Sequence, residues 1–279
     1  DNTRELILNY KDLFEKKGFS FEYHYHKNIG PGGTIAEGIT YVNGDYLVWP
    51  DVDDEMTPDS ISKKVLFLER NAQFGIVRTD FMRIFVKDGK EIKERGAQHY
   101  SNKFKAELFL DYLLSNEAWL QPGCFMVAMK AFLSANPERY IFPTRRGQNW
   151  QMLLPVLFKY KCGYIDEPLY NYYVHVGSVS NPTGIANFTT EITKIEKYNE
   201  LIVDTLSHME MDEKERQRYI AMVNNKYLKE KLAISFRFGK TKDAKRYYAL
   251  LKKEKQSTLK DYFKTKKVFM LIFHAIRKI

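Results

Sequence analysis

Gly44-Asp45-Tyr46-Leu47-Val48-Trp49-Pro50-Asp51-Val52-Asp53-Asp54-Glu55 is the stretch on which the fold turns. Asn43-Gly44-Asp45 is a turn signal, and Tyr46 to Trp49 is a short, nearly continuous apolar strand that ends at Pro50 and an acidic cluster. A buried strand that delivers carboxylates just past its carboxyl end puts them where open α/β sheets bind ligands. Asp-x-Asp presents hard oxygen ligands suited to Mg²⁺ or Mn²⁺, and such ions hold substrate phosphates. An EF-hand is excluded, because counting from Asp51 its obligatory Gly is Met56 and its closing Glu is Ser62. The competing reading is an acidic turn feeding a helix that opens at Thr57-Pro58-Asp59, a capping hydroxyl followed by Pro and an acid.

Working outward, residues 4–16 have helical periodicity, and Phe19 to His26 alternates as a strand does. Gly30-Pro31-Gly32-Gly33 is a glycine-rich turn leading into a helix over Thr34–Val42. Downstream, a helix runs to about Arg70 and Phe74–Arg78 is a strand. Residues 85–102 are polar and read as a surface excursion. Ala106–Leu114 is helical, Gly147–Tyr160 is a helix with Pro155 as a kink, and Cys162–Ile165 is a strand running into Asp166-Glu167-Pro168. Helix and strand alternate, the α/β pattern. From about Phe188 glycines become few, helical patterns long and charge high. The expected division is therefore an α/β domain over 1–187 and a helical basic region over 188–279.

The 279 residues carry a formal charge of +9, but unevenly. Residues 226–279 hold 17 Lys/Arg against 4 Asp/Glu, a balance of +13, which leaves −4 for residues 1–225. A uniformly basic nucleic-acid fold does not fit that partition, so no nucleic-acid partner is expected. In the tail, Leu259, Tyr262, Phe263, Phe269, Met270, Phe273 and Ile276 recur near helical spacing among Lys260, Lys264, Lys266 and Lys267. Such a stretch is either a membrane-surface helix or a terminal helix packed on the body with a solvated lysine face. The longest terminal apolar run is too short to span a bilayer, which needs about 20 residues. Cys124 and Cys162 cannot make a disulfide framework, and the composition suits a reducing compartment. No G-x-G-x-x-G, P-loop, G-x-S-x-G, H-E-x-x-H or C-x-x-C pattern is present. His24 and His26 are read as surface or half-buried strand histidines rather than metal ligands.

In this order the motifs resemble the family 2 glycosyltransferases of the GT-A fold. Asp1-Asn2-Thr3 is similar to the end of the family's Asp-Asp-Gly-Ser segment, which implies an N-terminally incomplete domain. Asn28-x-Gly30 resembles its Asn-x-Gly, and Gly44 to Asp54 its hydrophobic run into Asp-x-Asp-Asp. Gly147-Gln148-Asn149-Trp150 stands where the family has a Glu-Asp acceptor-side motif. Tyr164 to Tyr172, with His175 and Ser178, is similar to its closing segment. The resemblance implies a GT-A domain, Rossmann-like with a mainly parallel sheet lacking its first strands. It implies inverting, metal-dependent transfer of a sugar from a nucleotide-diphosphate sugar to a hydroxyl acceptor, lipid-linked or surface polysaccharide, at the cytoplasmic face of a bacterial membrane.

The implied site follows residue by residue. Asp51 and Asp53 hold the divalent ion, Mg²⁺ or Mn²⁺. Asn28, Gly30, Asp51, Asp53, Asp54, His175 and Ser178 face the donor, and Gln148 and Trp150 face the acceptor. Asn149 occupies the usual base position but is an amide, which cannot accept a proton as a carboxylate does. Asp166 and Glu167 are then the alternative bases. Ile35-Ala36 also replaces a frequent Arg-Asn pair. The rival reading is a degenerate, non-catalytic binding or scaffold protein at the membrane.

Overall fold

A computed structural model describes residues 2–145, 147–175 and 187–276, with side chains described to Leu271. The N-terminal helical pattern forms two short exposed helices, α1 (Thr3–Leu8) and α2 (Lys11–Lys16). The strand expected over Phe19–His26 does not form. Residues 19–29 run without sheet partners, Phe21 packing edge-on against Phe14 at 5.4 Å and His24 stacking on Tyr41 at 3.8 Å. Of the alternating aromatics, Phe19 and Phe21 meet Phe14 of α2, while Tyr25 stays exposed.

Next come α3 (Gly30–Tyr41), the two-residue strand β1 (Tyr46–Leu47), β2 (Glu55–Met56) and α4 (Ser60–Arg70). The strand β3 covers Phe74–Lys87, far beyond the five residues expected, and turns at Asp88-Gly89 into β4 (Lys90–Arg95). Both turn residues have positive φ, 52° and 73°, the requirement of a tight two-residue hairpin. The polar stretch after residue 85 is therefore a solvated hairpin arm rather than an irregular excursion. After α5 (Phe109–Leu113) follow β5 (Phe125–Ala128), α6 (Met129–Ala135), α7 (Gln148–Lys159, with Pro155 inside it) and β6 (Lys161–Tyr173).

The sheet order is β1–β5–β3–β6–β2, with β4 paired to the distal half of β3. Only β3 and β6 run parallel among the described strands; the other pairs are antiparallel. The sheet is mixed, which corrects the expectation of a mainly parallel one: a tight hairpin and the reversed β5 both flank β3. The β3–β6 register jumps from Thr79↔Ile165 to Asp80↔Pro168, so Asp166 and Glu167 are bulged out of the ladder. Pro168, which has no N–H to donate, sits at that irregularity.

The central core joins the sheet (Ile76, Phe125, Val127) to the buried face of α7 (Met152, Leu153, Leu154, Val156). Helices α8 (Phe188–His208) and α9 (Glu213–Arg237) contribute Leu201, Ile202, Leu206, Tyr219, Val223 and Tyr227 to that same core. Packing therefore continues through residue 187 and divides within α9. Beyond it, Leu232 of α9 clusters separately with Ala244, Tyr247 and Leu251 of α10 (Thr241–Lys253) and Met270 of α12 (Lys267–Ile276). The short α11 (Leu259–Phe263) opens with a reciprocal capping box between Thr258 and Asp261.

Candidate active site

Three local devices shape one cleft. The first is the glycine-rich start of α3. Gly30 has φ +79°, and a Cβ there would lie 2.9 Å from Arg145 Cγ; one on Gly32 would lie 2.4 Å from the Thr144 carbonyl oxygen. These glycines let α3 approach the loop before α7, where the Gly32 N–H donates to Thr144 O at 2.9 Å. Asn28 Oδ1 accepts from the Gly30 N–H at 3.1 Å and so shapes the chain's entry into α3.

The second device is a clamp between the acidic segment and α7. Trp49, only 8% exposed, donates its indole N–H to Asn149 Oδ1 at 3.0 Å, and Asn149 Nδ2 donates to Leu120 O at 2.8 Å. An amide serves both partners; a carboxylate has no proton for the Leu120 carbonyl.

The third device anchors the acids. Asp54 accepts from the buried Tyr170 hydroxyl at 2.7 Å and from the Tyr173 backbone N–H at 2.9 Å. Asp51, Asp53 and Asp54 present carboxylate oxygens within 4.8 Å of one another. Two unit charges at that separation repel by about 3 kcal/mol at an effective dielectric of about 20. Desolvation, then Asp54, then Asp53 raise the Asp51 carboxyl to about 6, although Asp51 opens onto the cleft. Burial, partly offset by the two tyrosine hydrogen bonds, also raises Asp54. An all-oxygen anionic set of this kind fits a hard divalent cation, which would relieve the crowding.

Two hollows of about 450 and 490 Å³ meet at Pro31, Asp51 and Gln148. The first takes in Asn28, Gly30 and Val52. The second holds Asp53, Asp54, Asn149, Trp150, Tyr172 and Tyr173. Each is of a size that holds a small ligand. His175 stacks on Tyr173 with ring centroids 6.5 Å apart and acts electrostatically on Asp54. Trp150 donates to Tyr112 O at 3.1 Å and packs against Tyr198 at 5.4 Å. The structure thus gathers Asn28, Gly30, Asp51, Asp53, Asp54, Gln148, Asn149 and Trp150 around one cleft, with His175 beside Asp54. Ser178 lies outside the described residues.

Asp166 and Glu167 are elsewhere. They occupy the β6 bulge, six and five residues before Tyr172, on the order of 20 Å along the strand. Asp166 accepts from Arg95 at 2.6 Å and from the Tyr164 hydroxyl at 3.0 Å, and its carboxyl is held below the usual range. Glu167 is paired with Lys63. Neither lines the cleft. Conversely, Arg145, Tyr173, Lys194 and Tyr198 line it without having been singled out in the sequence. Arg145 and Lys194 lie in stretches with no motif, Arg145 in the loop before α7 and Lys194 on α8.

The family model of "Glycosyl transferase family 2" matches residues 1–133, a span that holds the glycine-rich turn and the acidic triad. That part of the chain, just under half of it, resembles glycosyl transferase family 2. Comparison with curated proteins finds no match. Among solved structures, the crystal structure of S. aureus TarS 1–349 in complex with UDP-GlcNAc superposes with a TM-score of 0.57 at 11% identity, covering 100% of this chain and 80% of that one. The same TarS fragment without that ligand gives 0.56 at 12%, and the longer TarS structure gives 0.52 at 12% over 90% of this chain and 43% of that one. At such identities the likeness shows the fold: a GT-A domain followed by a helical C-terminal part. The matched span and the fold both carry the acidic triad, which lines one cleft together with Asn149.

Proposed function

We propose that the chain transfers a sugar from a nucleotide-diphosphate sugar to an acceptor hydroxyl with inversion. The observation that carries this reading is the convergence of Asp51, Asp53 and Asp54 on one cleft, anchored through Tyr170 and Tyr173. Asp51 and Asp53, with Asp54 beside them, would hold Mg²⁺ or Mn²⁺, which supplies charge stabilisation to a departing diphosphate. In the transfer, the acceptor oxygen forms a bond to the anomeric carbon as the bond from that carbon to the diphosphate breaks. The electron pair leaves with the nucleoside diphosphate. The hydroxyl proton needs a base, and we assign it to Asp54, the lining carboxylate outside the Asp51–Asp53 pair that would hold the ion. Asn149 holds Trp49, and with it the start of the acidic segment, in place. Gln148 and Trp150 face the acceptor.

Calorimetry of the full chain with Mn²⁺ and a panel of nucleotide-sugars tests the reading. Binding that needs Mn²⁺ and disappears in Asp53→Ala is expected; no heat across the panel, or heat unchanged in that variant, overturns it. Donor binding without turnover would instead favour the non-catalytic rival, to which the amide at 149 lends weight.

We also place the chain at an anionic membrane face, as a peripheral protein of the inner surface. Among the described residues, no helix is long and apolar enough to cross a membrane. Met270 is buried, whereas Leu259, Phe263, Val268, Phe269 and Leu271 are exposed beside the tail lysines. A helix that packs by one edge and leaves apolar and cationic groups outward suits a charged bilayer surface. Flotation with anionic vesicles should carry the full chain and not a deletion of residues 258–279; equal flotation of both would remove this assignment.

A further inference from the structure

The cleft does not end at Trp150. It opens into a groove of about 710 Å³ between the loop at residues 142–145 and the first half of α8, and Arg145, Lys194 and Tyr198 line both spaces. Lys197 lines the groove alone. Among the described residues, none of Arg145, Lys194 and Lys197 has a carboxylate within 4.0 Å, whereas nearby lysines are paired: Lys231 with Glu196 at 2.9 Å, Lys226 with Glu230 at 3.4 Å. Two carboxylates also line the groove, Glu191 and Glu200, and Glu191 has Arg237 at 3.7 Å. Lys194 and Lys197 are one helical turn apart, a like-charge spacing that costs a few tenths of a kcal/mol when nothing neutralises it.

The Asp triad stands at one end of the joined space; at the other, Arg145, Lys194 and Lys197 outnumber Glu191 and Glu200, of which Glu191 is engaged by Arg237, and the Tyr198 ring lines both parts. We propose that the groove receives the acceptor and that the acceptor is anionic: a saccharide chain bearing phosphate or carboxylate groups close to the hydroxyl that attacks. The proposal rests on the reading of the Asp triad as the donor end. A neutral acceptor gains nothing from three unpaired cations, and a phosphate or carboxylate fits both Arg145 and the lysine pair.

The test is an amine-acetylation footprint of the full chain, read by peptide mapping, with polyphosphate, polygalacturonate or neutral dextran present. Both polyanions should slow acetylation of Lys194 and Lys197 about fivefold or more, and dextran should not. The polyanion that protects more strongly identifies phosphate or carboxylate as the recognised group. Lys197→Ala should remove most of the protection at Lys194. The tail lysines serve as an internal comparison, since they bind polyanions without a groove. Protection confined to the tail, or equal protection by dextran, overturns the proposal, as does full Lys194 protection in Lys197→Ala. Loss of Mn²⁺-dependent donor binding with groove protection intact would strike the donor reading alone.

Discussion

Asn149→Asp restores the residue type expected of a catalytic base and separates a base position from a clamp. In the structure, Asn149 Oδ1 takes the Trp49 indole proton at 3.0 Å and its amino group donates to Leu120 O at 2.8 Å. An aspartate keeps the first bond and sets an oxygen against the Leu120 carbonyl in the second. Losing that half-buried donor and leaving an acceptor unpaired costs about 1–3 kcal/mol. For a chain of this size, that corresponds to a fall in Tm of roughly 5 °C. The new carboxyl, pressed against a carbonyl, would titrate above the ordinary aspartate value when folded. Its penalty is then fully present above the folded pKa and is relieved as pH falls toward the unfolded value of about 3.9. Thermal unfolding at pH 8 and pH 5 should show the variant's deficit shrinking at the lower pH, with sugar transfer no faster than in the parent. A variant as stable as the parent that transfers sugar faster would refute the clamp and make 149 a base position that has lost its acid.

Tyr170→Phe removes the hydroxyl that fixes Asp54 and leaves the ring in the core; Mn²⁺ affinity by calorimetry should fall about tenfold, the usual cost of losing a group that orients a ligand, and unchanged affinity would detach Asp54 from the metal set. Lys64 is buried with its ammonium donating to Gly123 O at 2.5 Å, and desolvation lowers it to about 8. Because that folded pKa lies below the unfolded one, the penalty is present below pH 8 and fades as pH rises toward about 10.4, so the stability of Lys64→Met relative to the parent should be on the order of 2–3 kcal/mol more favourable at pH 7 than at pH 10, whatever the pH-independent cost of the unpaired Gly123 carbonyl. Denaturation curves of parent and variant that stay parallel across that range would contradict it.

The acidic segment was legible because its signals are local: an apolar run, a proline that stops it, and carboxylates that follow. The hairpin was not read, although Asp88-Gly89 is a tight-turn dipeptide, because β4 (Lys-Glu-Ile-Lys-Glu-Arg) is solvated and carries no apolar alternation. Phe19–His26 failed in the opposite sense. Its alternation is real, but no strand edge pairs with it: Phe21 packs on Phe14 of α2, and Phe19 and Tyr25 stay exposed.

The base assignment shows a deeper limit. Asp166 and Glu167 are close in sequence to the closing segment, yet a two-residue slip in the β3–β6 register turns them toward Arg95 and Lys63. A bulge is invisible in one strand's sequence, since it is a property of how two strands pair. The amide at 149 has the reverse lesson. Read alone, it is a missing acid; read with Trp49, 100 residues away, it is a side chain that accepts a hydrogen bond from an indole and donates one to a carbonyl, which a carboxylate cannot do. A carboxylate there would keep the bond from Trp49 and lose the one to Leu120, leaving the clamp held from one side.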